Sequence, residues 1–427
     1  MDMRKISLIF MVMLVLCWIG SPVIAAELKE GTIIDATSLD TLKNDTFEGK
    51  TIGSMVAGPL EYMIKKEGLW IKVVHSKPVP IDPRLVEASM KNKGKCKLNP
   101  KTRLVENWEA GWPFPDISKD DPDAGMKIIY NQYYGAPHAN NQIYPGFAFL
   151  FIDMNKGLER TQVWTWQRYF MKGRVGGPGD CGPTEKGAGN TLMKLLLLAL
   201  EPRDVRGLGT YTVRYDDGKF DDSWAYIKSV RRVRRLSGGG VWDAIGGTDM
   251  LNDDQEIFNA NPTWYPKYNY LGRRWILAAV NGLLPAWDPS KRGNPVTEFP
   301  RVDFSKKPFC NPNDVWEPVE VDVVECIAPP DSPYSKKIVY SDARFPSLYF
   351  FEAYDKKGQF WKFSHFSKVV LKGTDGSPAI LSPMGHIYDL QSRHATVFAN
   401  NHLTVEFSNN CQSNRVTLGQ LEVIAGR

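Results

Sequence analysis

Histidines are the first side chains to consider, because histidine is a common metal ligand and a common general base. None has the i, i+4 spacing of a zinc-binding helix, and His394 and His402, which come closest, lie on either side of an expected turn. The chain also lacks HExxH, GxSxG, Walker-loop and CxxC motifs. We therefore expect no metal site, no cofactor and no catalytic residue. The six histidines are His75, His138, His365, His386, His394 and His402.

Carboxylates are the second group that could do chemistry, since a glycosidase needs two carboxyl groups held about 5–10 Å apart. Asp216, Asp217, Asp221 and Asp222 cluster around Gly218. Aspartate and glycine are favoured in a hairpin turn, which needs residues that tolerate positive φ. A solvated turn explains the cluster better than catalysis does. We expect that the protein is not an enzyme, and a hydrolase of envelope glycans or lipids is the least favoured alternative.

Four arginines occur in the run RRVRRL, which begins at Arg231. On a strand, Arg231, Val233 and Arg235 face one way, and Arg232 and Arg234 face the other. Arginines on both faces suit a sheet edge or the mouth of a cavity. Two interpretations remain open: ion pairs with the nearby aspartates, or contact with a lipid head group or a partner protein.

Aromatic residues make up 12% of the chain, with 13 tryptophans, more than an ordinary globular core needs. Tryptophan and tyrosine suit the pleated surface of a sheet and also line apolar cavities. For each of them ordinary core packing is the alternative. The candidates to line a hollow are Trp164, Trp166, Trp224, Tyr226, Trp242 and Trp361, with Arg232 and Arg235 at its mouth.

The cysteines determine which disulfide cross-links the chain could form. Cys17 lies in the N-terminal apolar run, and the five others are Cys96, Cys181, Cys310, Cys326 and Cys411. Five thiols allow at most two disulfides within one chain. We predict Cys310–Cys326 as the best pair, because the two cysteines flank a proline-rich stretch.

The N-terminus has the three-part pattern of a cleaved secretory signal. Arg4 and Lys5 precede an apolar run at residues 6–19, and the small pair Ala25-Ala26 follows. The run is shorter than the roughly 20 residues that span a bilayer. We expect export to the periplasm and a mature chain that starts near Glu27, with an uncleaved amphipathic anchor as the alternative.

Strand patterns dominate after about residue 100. The segments KIIYNQYY from Lys127, FAFLFIDM from Phe147 and QVWTWQRYF from Gln162 are rich in β-branched and aromatic residues, which predicts strands. The leucine-rich TLMKLLLLAL from Thr191 predicts a short helix that is buried or covers a groove.

Short turns join the later strands, which predicts antiparallel pairing. GTYTVRY pairs with SWAYIKSVRRVRRL, SLYFFEAY with QFWKFSHF, and HATVFANN with HLTVEFS. We divide the chain into a signal peptide at 1–26, a helical and loop-rich extension at 27–100, and a β domain at 101–427. A proline-rich arm at about 283–333 is expected to pack over the sheet.

Three segments, DVRGLGTYTVRY, SWAYIKSVRRVRRL and GGTDMLNDDQEIF, resemble outer-membrane lipoprotein-sorting proteins of the LolA/LolB-like type. Together with GWPFPDISKDDPDAGMKIIYNQYY, YDKKGQFWKF and HIYDLQSRHATVFANN, they make the chain similar to the bacterial domain-of-unknown-function family 1329. The resemblance implies a mainly β (α+β) fold, a curved and incomplete antiparallel β-barrel whose concave face is covered by helices. It also implies a hollow that holds acyl chains, and partnership with outer-membrane proteins or resistance-nodulation-division type transporters.

Two departures from the small sorting proteins matter. The chain is much longer, and LSGGGVWDAIGG replaces a partly apolar loop after the paired arginines. We predict a periplasmic protein, peripheral to the outer membrane, that binds lipid or another hydrophobic molecule as a carrier or transport accessory. The alternative is a structural or adaptor protein whose own segments fill the hollow. The net charge of +5 is too mild for nucleic-acid binding.

Overall fold

The computed structural model describes residues 25–56, 58–135, 141–175, 182–227, 231–236, 240–282, 291–373, 375–400, 404–406 and 413–425. The predicted signal peptide, apart from Ala25 and Ala26, lies outside the described residues, as do Cys181 and Cys411. Within the described ranges, no helix combines the length and the apolarity of a membrane span.

Short elements make up the described N-terminal part, residues 25–135. The helices are α1 (Leu39–Leu42), α2 (Ile52–Val56), α3 (Pro59–Tyr62) with a π-helical turn at Met63–Glu67, α4 (Pro83–Met90) and α5 (Ala124–Gly135). The strands are β1 (Ile33–Ile34), β2 (Thr46–Phe47), β3 (Lys50–Thr51), β4 (Ile71–Val73), β5 (Lys97–Leu98) and β6 (Val105–Glu106).

Long strands follow in two runs. The first comprises β7 (Asn141–Asp153), β8 (Gly157–Phe170), β9 (Thr191–Glu201), β10 (Gly209–Tyr215), β11 (Asp222–Ile227) and β12 (Arg232–Leu236). The second comprises β13 (Lys267–Ala278), β14 (Val302–Asp303), β15 (Asn311–Pro312), β16 (Val315–Ile327), β17 (Lys336–Asp342), β18 (Leu348–Tyr354), β19 (Phe360–Lys372), β20 (Pro378–Asp389), β21 (His394–Ala399) and β22 (Thr404–Glu406).

The remaining regular elements are short helices. They are α6 (Pro295–Glu298), α7 (Leu418–Ala425) and 3-10 turns at Asn252–Asp254, Pro262–Trp264 and Ser413–Arg415.

Sixteen of the described strands form one sheet in the order β1-β4-β16-β17-β18-β19-β20-β21-β7-β8-β9-β10-β11-β12, with β13 beside β16 and β22 beside β7. Neighbouring strands run antiparallel except β4 and β16, which are parallel. The sheet is curved and does not close into a barrel. This architecture confirms the predicted mainly β fold.

Both faces of the sheet are covered by other parts of the chain. Alternate residues of one strand therefore belong to different hydrophobic cores. Phe149 and Phe151 of β7 join Trp164, Leu197 and Phe351 in one core, on what we call the aromatic face. Helix α5 and the covering segment, residues 240–266, also contribute to that core.

The opposite face is covered by other parts of the chain. Leu150 and Ile152 of β7 pack with Val321, Val397 and the N-terminal residues 34–73. Farther along the sheet, Leu196 and Leu198 pack with Leu421 of α7. The extension and the last helix thus seal the opposite face.

A buried ion cluster holds the covering segment to the sheet. Lys337 of β17 lies 2.8 Å from Asp253 and 2.7 Å from Asp254, and all three side chains are fully buried. Tyr265 donates to Asp253 at 2.6 Å and Tyr334 donates to Asp254 at 2.8 Å. Burial alone would lower the pKa of Lys337, but the two carboxylates outweigh it and the pKa rises above its usual value.

Two sequence predictions of secondary structure are wrong, and so is one of strand pairing, since β21 of HATVFANN and β22 of HLTVEFS each pair with β7. TLMKLLLLAL forms strand β9, because leucines on both faces of a doubly covered sheet give a continuous apolar run instead of alternation. KIIYNQYY lies in helix α5, where Met126, Ile129, Tyr130 and Tyr134 recur at helical spacing and pack on the aromatic face.

The proline-rich stretch is not an arm throughout, since Val315–Ile327 forms the interior strand β16, paired with β13 and β17. The predicted disulfide is also wrong, because Cys310 and Cys326 are both free thiols. Cys326 belongs to the core of the aromatic face and Cys310 to the core of the opposite face, so the sheet separates them.

Two histidines face each other beneath the N-terminal extension. His365 of β19 is the register partner of His386 of β20, and both are buried, with ring centroids 5.8 Å apart. Burial, and then the neighbouring charges, hold the pKa of His365 well below its usual value, and burial lowers that of His386 to about 3. Both imidazoles are therefore neutral in the folded protein at neutral pH.

We expect this pair to make the fold acid-sensitive. Below pH 6.5 the unfolded chain gains a proton on each histidine while the folded chain does not, so the free energy of unfolding falls as the pH falls. Each histidine adds a slope of up to about 1.4 kcal/mol per pH unit. Denaturant titrations between pH 7 and 4 should give a shallower slope for His386→Phe, and an unchanged slope would contradict this account.

Removing the cation of the ion cluster should be costly. Lys337→Met leaves two buried carboxylates without a counter-charge, and we expect a loss of about 3–5 kcal/mol in the free energy of unfolding. Lys336→Met is the matched control, because the neighbouring Lys336 is partly exposed and pairs with Glu325, for which about 1 kcal/mol or less is expected. Equal losses in the two variants would refute the anchoring role.

Candidate functional site

The covering segment has a second attachment to the aromatic face, formed by Asp249. Its carboxylate lies 2.6 Å from His394 Nδ1 and accepts from the Thr396 hydroxyl at 2.7 Å. Lys362 donates to the Asp249 carbonyl at 2.6 Å. The hydrogen bond to Asp249 raises the pKa of His394 above its usual value, so protonation strengthens this contact. We call it the Asp249 latch.

An apolar cavity of about 40 Å³ lies between the segment and the sheet. The segment contributes Ile245, Met250, Gln255 and Glu256. Six neighbouring strands supply the other wall because their alternate residues point to one face. These residues are Tyr144, Phe147, Phe149, Trp166, Leu197, Phe366, Ser382 and Phe398.

A smaller polar cavity, of about 20 Å³, adjoins the apolar one, because Glu256 lines both. Arg168 is its central cation, 3.2 Å from the Glu256 carboxylate, and its guanidinium lies 4.3 Å from the Trp166 ring centroid. Arg214 also lines it, but this guanidinium is held by Asp221 at 2.9 Å. Aromatic and cationic groups therefore meet along one face of β8.

Several buried polar atoms at these cavities have no hydrogen-bond partner in the described part of the chain. They are Nε1 of Trp166, Nε of Arg168 and Oε1 of Gln132. Trp166 lines the apolar cavity, and the other two residues line the polar one. Buried donors are normally satisfied, and leaving one unpaired costs about 1–3 kcal/mol.

A buried lysine borders the apolar cavity. Lys368 donates to the hydroxyl of Ser382 at 2.8 Å, and Ser382 lines that cavity. Burial lowers the pKa of Lys368 to about 8. The ammonium group is therefore largely charged at neutral pH.

The backbone that presents Glu256 is strained. Glu256 and Ile257 have φ of 50° and 80°, in the left-handed region that β-branched residues rarely adopt. Lys337 donates to the Ile257 carbonyl at 3.2 Å, so the ion cluster helps to hold this conformation. The position of Glu256 against Arg168 is thus imposed by the surrounding structure.

A larger groove of about 610 Å³ lies elsewhere, between residues 112–119 and the turn that follows β17. Its two arginines are already paired: Arg273 donates to Asp322 at 2.9 Å, and Arg344 donates to Asp342 at 2.7 Å. Tyr270 adds a hydrogen bond to Asp322 at 2.7 Å. The cavities under the covering segment differ in having unpaired buried donors, and they are the better candidate site.

The structure brings together only part of the predicted site. Trp164, Trp166, Trp242 and Trp361 all pack in the core of the aromatic face, and Trp166 lines the cavity. Trp224 and Tyr226 lie in the core around α7, on the opposite face.

The predicted arginines lie on the exposed strand β12. The register of β11 and β12 pairs Arg235 with Trp224 and Arg232 with Ile227, so the two arginines face opposite ways, as the strand pattern predicts. Arg235 forms an ion pair with Asp222, and neither arginine lines the apolar or the polar cavity.

Sequence reasoning missed the charged residues of the site. Arg168, Glu256 and Lys368 carry no motif, although Arg168 follows Trp164 and Trp166 at the two-residue spacing of a strand. Among the residues that the structure describes, no three His, Cys, Asp or Glu side chains converge as metal ligands would.

Comparison with solved structures gives distant matches. A domain described as an outer-membrane lipoprotein-sorting protein from Vibrio parahaemolyticus is 17% identical, with a TM-score of 0.46, and the match covers 71% of this chain and 100% of that one. A family DUF1329 protein from Desulfovibrio piger is 15% identical, with a TM-score of 0.44 and coverage of 70% and 99%. A LolA superfamily protein from Nitrosomonas europaea is 13% identical, with a TM-score of 0.36 and coverage of 66% and 92%.

No curated protein matches the chain. The family "Protein of unknown function (DUF1329)" matches residues 53–421, which is most of the sequence and includes the second half of the N-terminal extension. The chain therefore belongs to the DUF1329 family.

Proposed function

We propose that this protein binds a hydrophobic molecule between the aromatic face and the covering segment. The observation that carries the proposal is the apolar cavity, walled by Phe149, Trp166 and Phe398 on the sheet and by Ile245 and Met250 on the segment. Ligand pockets are typically lined by aromatic and apolar side chains with a few polar groups at one end. The cavity has this composition, with Glu256 on its wall and Arg168 in the adjoining polar cavity.

Binding requires the cavity to grow. Its volume of about 40 Å³ is far below the roughly 300–1,000 Å³ of ordinary ligand pockets. The two attachments differ in strength: the ion cluster at Asp253 and Asp254 is fully buried, whereas the Asp249 latch is partly exposed. Residues 240–251 are therefore the part that would move aside, with the cluster as the fixed end.

We place this activity in the periplasm, peripheral to the outer membrane, where a carrier of acyl chains would work beside an envelope transporter. The N-terminal signal pattern supports the compartment, and the family resemblance of the sequence supports the partner. A resistance-nodulation-division type transporter or an outer-membrane protein is the partner class to test.

A second function, a structural or adaptor role with a permanently filled hollow, is favoured by the ion cluster and by the small cavity. Native mass spectrometry of the protein purified gently from periplasm separates the two. A bound mass that organic solvent releases as acyl lipid is expected for the carrier. A ligand-free mass that persists after incubation with envelope lipids would support the adaptor instead.

Filling the cavity should block binding. In Ile245→Trp the larger ring occupies the space against Phe149 and Trp166, and we expect at least tenfold weaker binding of a naphthylamine dye, measured by its fluorescence. Val296→Trp, at a surface position that is 64% exposed, is the control and should bind as wild type does. Equal affinity in all three proteins would mean that the dye binds elsewhere.

Releasing the latch should speed up binding. Asp249→Ala removes the carboxylate's contacts to His394 and to the Thr396 hydroxyl, so stopped-flow mixing with the same dye should show an association rate several-fold higher than wild type. Asp243→Ala is the matched control, because Asp243 lies in the same segment and does not line the cavity. A rate unchanged by Asp249→Ala would show that another part of the chain controls access.

A further inference from the structure

Two unpaired donors lie side by side on the aromatic face. The Trp166 indole and the Arg168 guanidinium belong to alternate residues of β8, and the guanidinium stacks 4.3 Å from the indole ring centroid. Nε1 of Trp166 and Nε of Arg168 are buried and lack a partner in the described part of the chain. Both atoms donate hydrogen bonds and accept none, so the group that suits them is an acceptor.

The local charge favours an acceptor that is negative. Arg168 and Lys368 are each 4% exposed, and both interact with Glu256: Arg168 forms an ion pair with its carboxylate, and the same carboxylate acts electrostatically on Lys368. Arg214 is neutralised by Asp221, which leaves Glu256 as the carboxylate that faces Arg168. Two buried cations against one carboxylate leave an unbalanced positive charge.

Glu256 belongs to the covering segment, whereas Arg168 belongs to the sheet. When residues 240–251 move aside, a rotation of the Glu256 side chain, with its backbone still held by the ion cluster, would leave a buried guanidinium without its carboxylate, which is costly. An incoming anion would restore the pair, and the planar fork of arginine matches a carboxylate or phosphate group.

We propose that the ligand is an amphiphile with an anionic head group, which Arg168 binds in place of Glu256 while the apolar chain lies along Phe149, Trp166 and Phe398. This inference rests on the proposed binding function and names its ligand class. A carboxylate or a phosphate ester supplies the same chemistry, so fatty acids and lipid phosphates are both sources of the head group.

The test compares three probes with the same twelve-carbon chain: dodecanoate, dodecyl phosphate and the neutral dodecanol. Isothermal titration of the full mature chain should show tighter binding of at least one anion than of the alcohol. Arg168→Met should weaken the anions about tenfold or more and leave the alcohol within about twofold. Glu256→Gln should strengthen the anions, because it removes the competing carboxylate.

Arg160→Met is the matched control, because Arg160 lies on the same strand, is exposed, and stacks on Phe151 at 4.1 Å outside both cavities. It should change no affinity. The relative affinity of dodecanoate and dodecyl phosphate assigns the source as fatty acid or lipid phosphate.

Two results would overturn the inference, and each has a different consequence for the proposed binding function. If dodecanol binds as tightly as the anions and neither Arg168→Met nor Glu256→Gln shifts any affinity, the head group is not recognised, although the hydrophobic site stands. If none of the three probes binds to wild type, the proposed function itself fails. Unchanged dodecanol binding in Arg168→Met also shows that the variant is folded.

Discussion

The salt bridge of Lys337 with Asp253 and Asp254 is the constraint on which the rest of the site depends. Burying Lys337 without a counter-charge would be costly, so the covering segment must place Asp253 and Asp254 against β17. That placement fixes the strained turn at Glu256 and Ile257 and thereby brings Glu256 to Arg168. The boundary between the apolar and the polar cavity follows from this single attachment.

The two faces of the sheet have different covers. The N-terminal extension fills the opposite face with many small helices and apolar side chains, and α7 closes its far end. The covering segment on the aromatic face has little regular structure, and it combines apolar packing by residues such as Ile245 and Met250 with polar attachments at Asp249, Asp253 and Asp254. When a cover that packs by apolar contacts moves away, all of that apolar surface is exposed to water. The polar groups of the Asp249 latch, in contrast, replace their hydrogen bonds by hydrogen bonds to water. On the aromatic face, the part of the covering segment held by the partly exposed Asp249 latch is therefore the part whose rearrangement costs least.

Local sequence patterns predicted most of the fold. The predictions were wrong where one pattern is compatible with two kinds of secondary structure. Hairpins such as β18–β19 were predicted correctly because a short turn with Gly358 joins two aromatic strands. The leucine run of β9 was misread because a strand buried on both faces lacks the alternation that distinguishes it from a helix. In the site, Trp166 was predicted from its type. Arg168 was not, because its partner Glu256 is 88 residues away in the chain and only the folded sheet brings them together.

The unpaired donors also bear on the choice between a carrier and a filled adaptor. A hollow plugged permanently by its own chain has no later opportunity to satisfy Trp166 and Arg168, so each would remain a standing cost of about 1–3 kcal/mol. Strain at Ile257 adds to that cost, and such strain is usually found where a surrounding structure serves a functional site. A binding protein recovers the cost when a ligand supplies the acceptor. A covering segment that exchanges with a ligand needs a closed state in which the donors of Trp166 and Arg168 stay unsatisfied. Contacts elsewhere, at the ion cluster and the Asp249 latch, must then hold the segment closed.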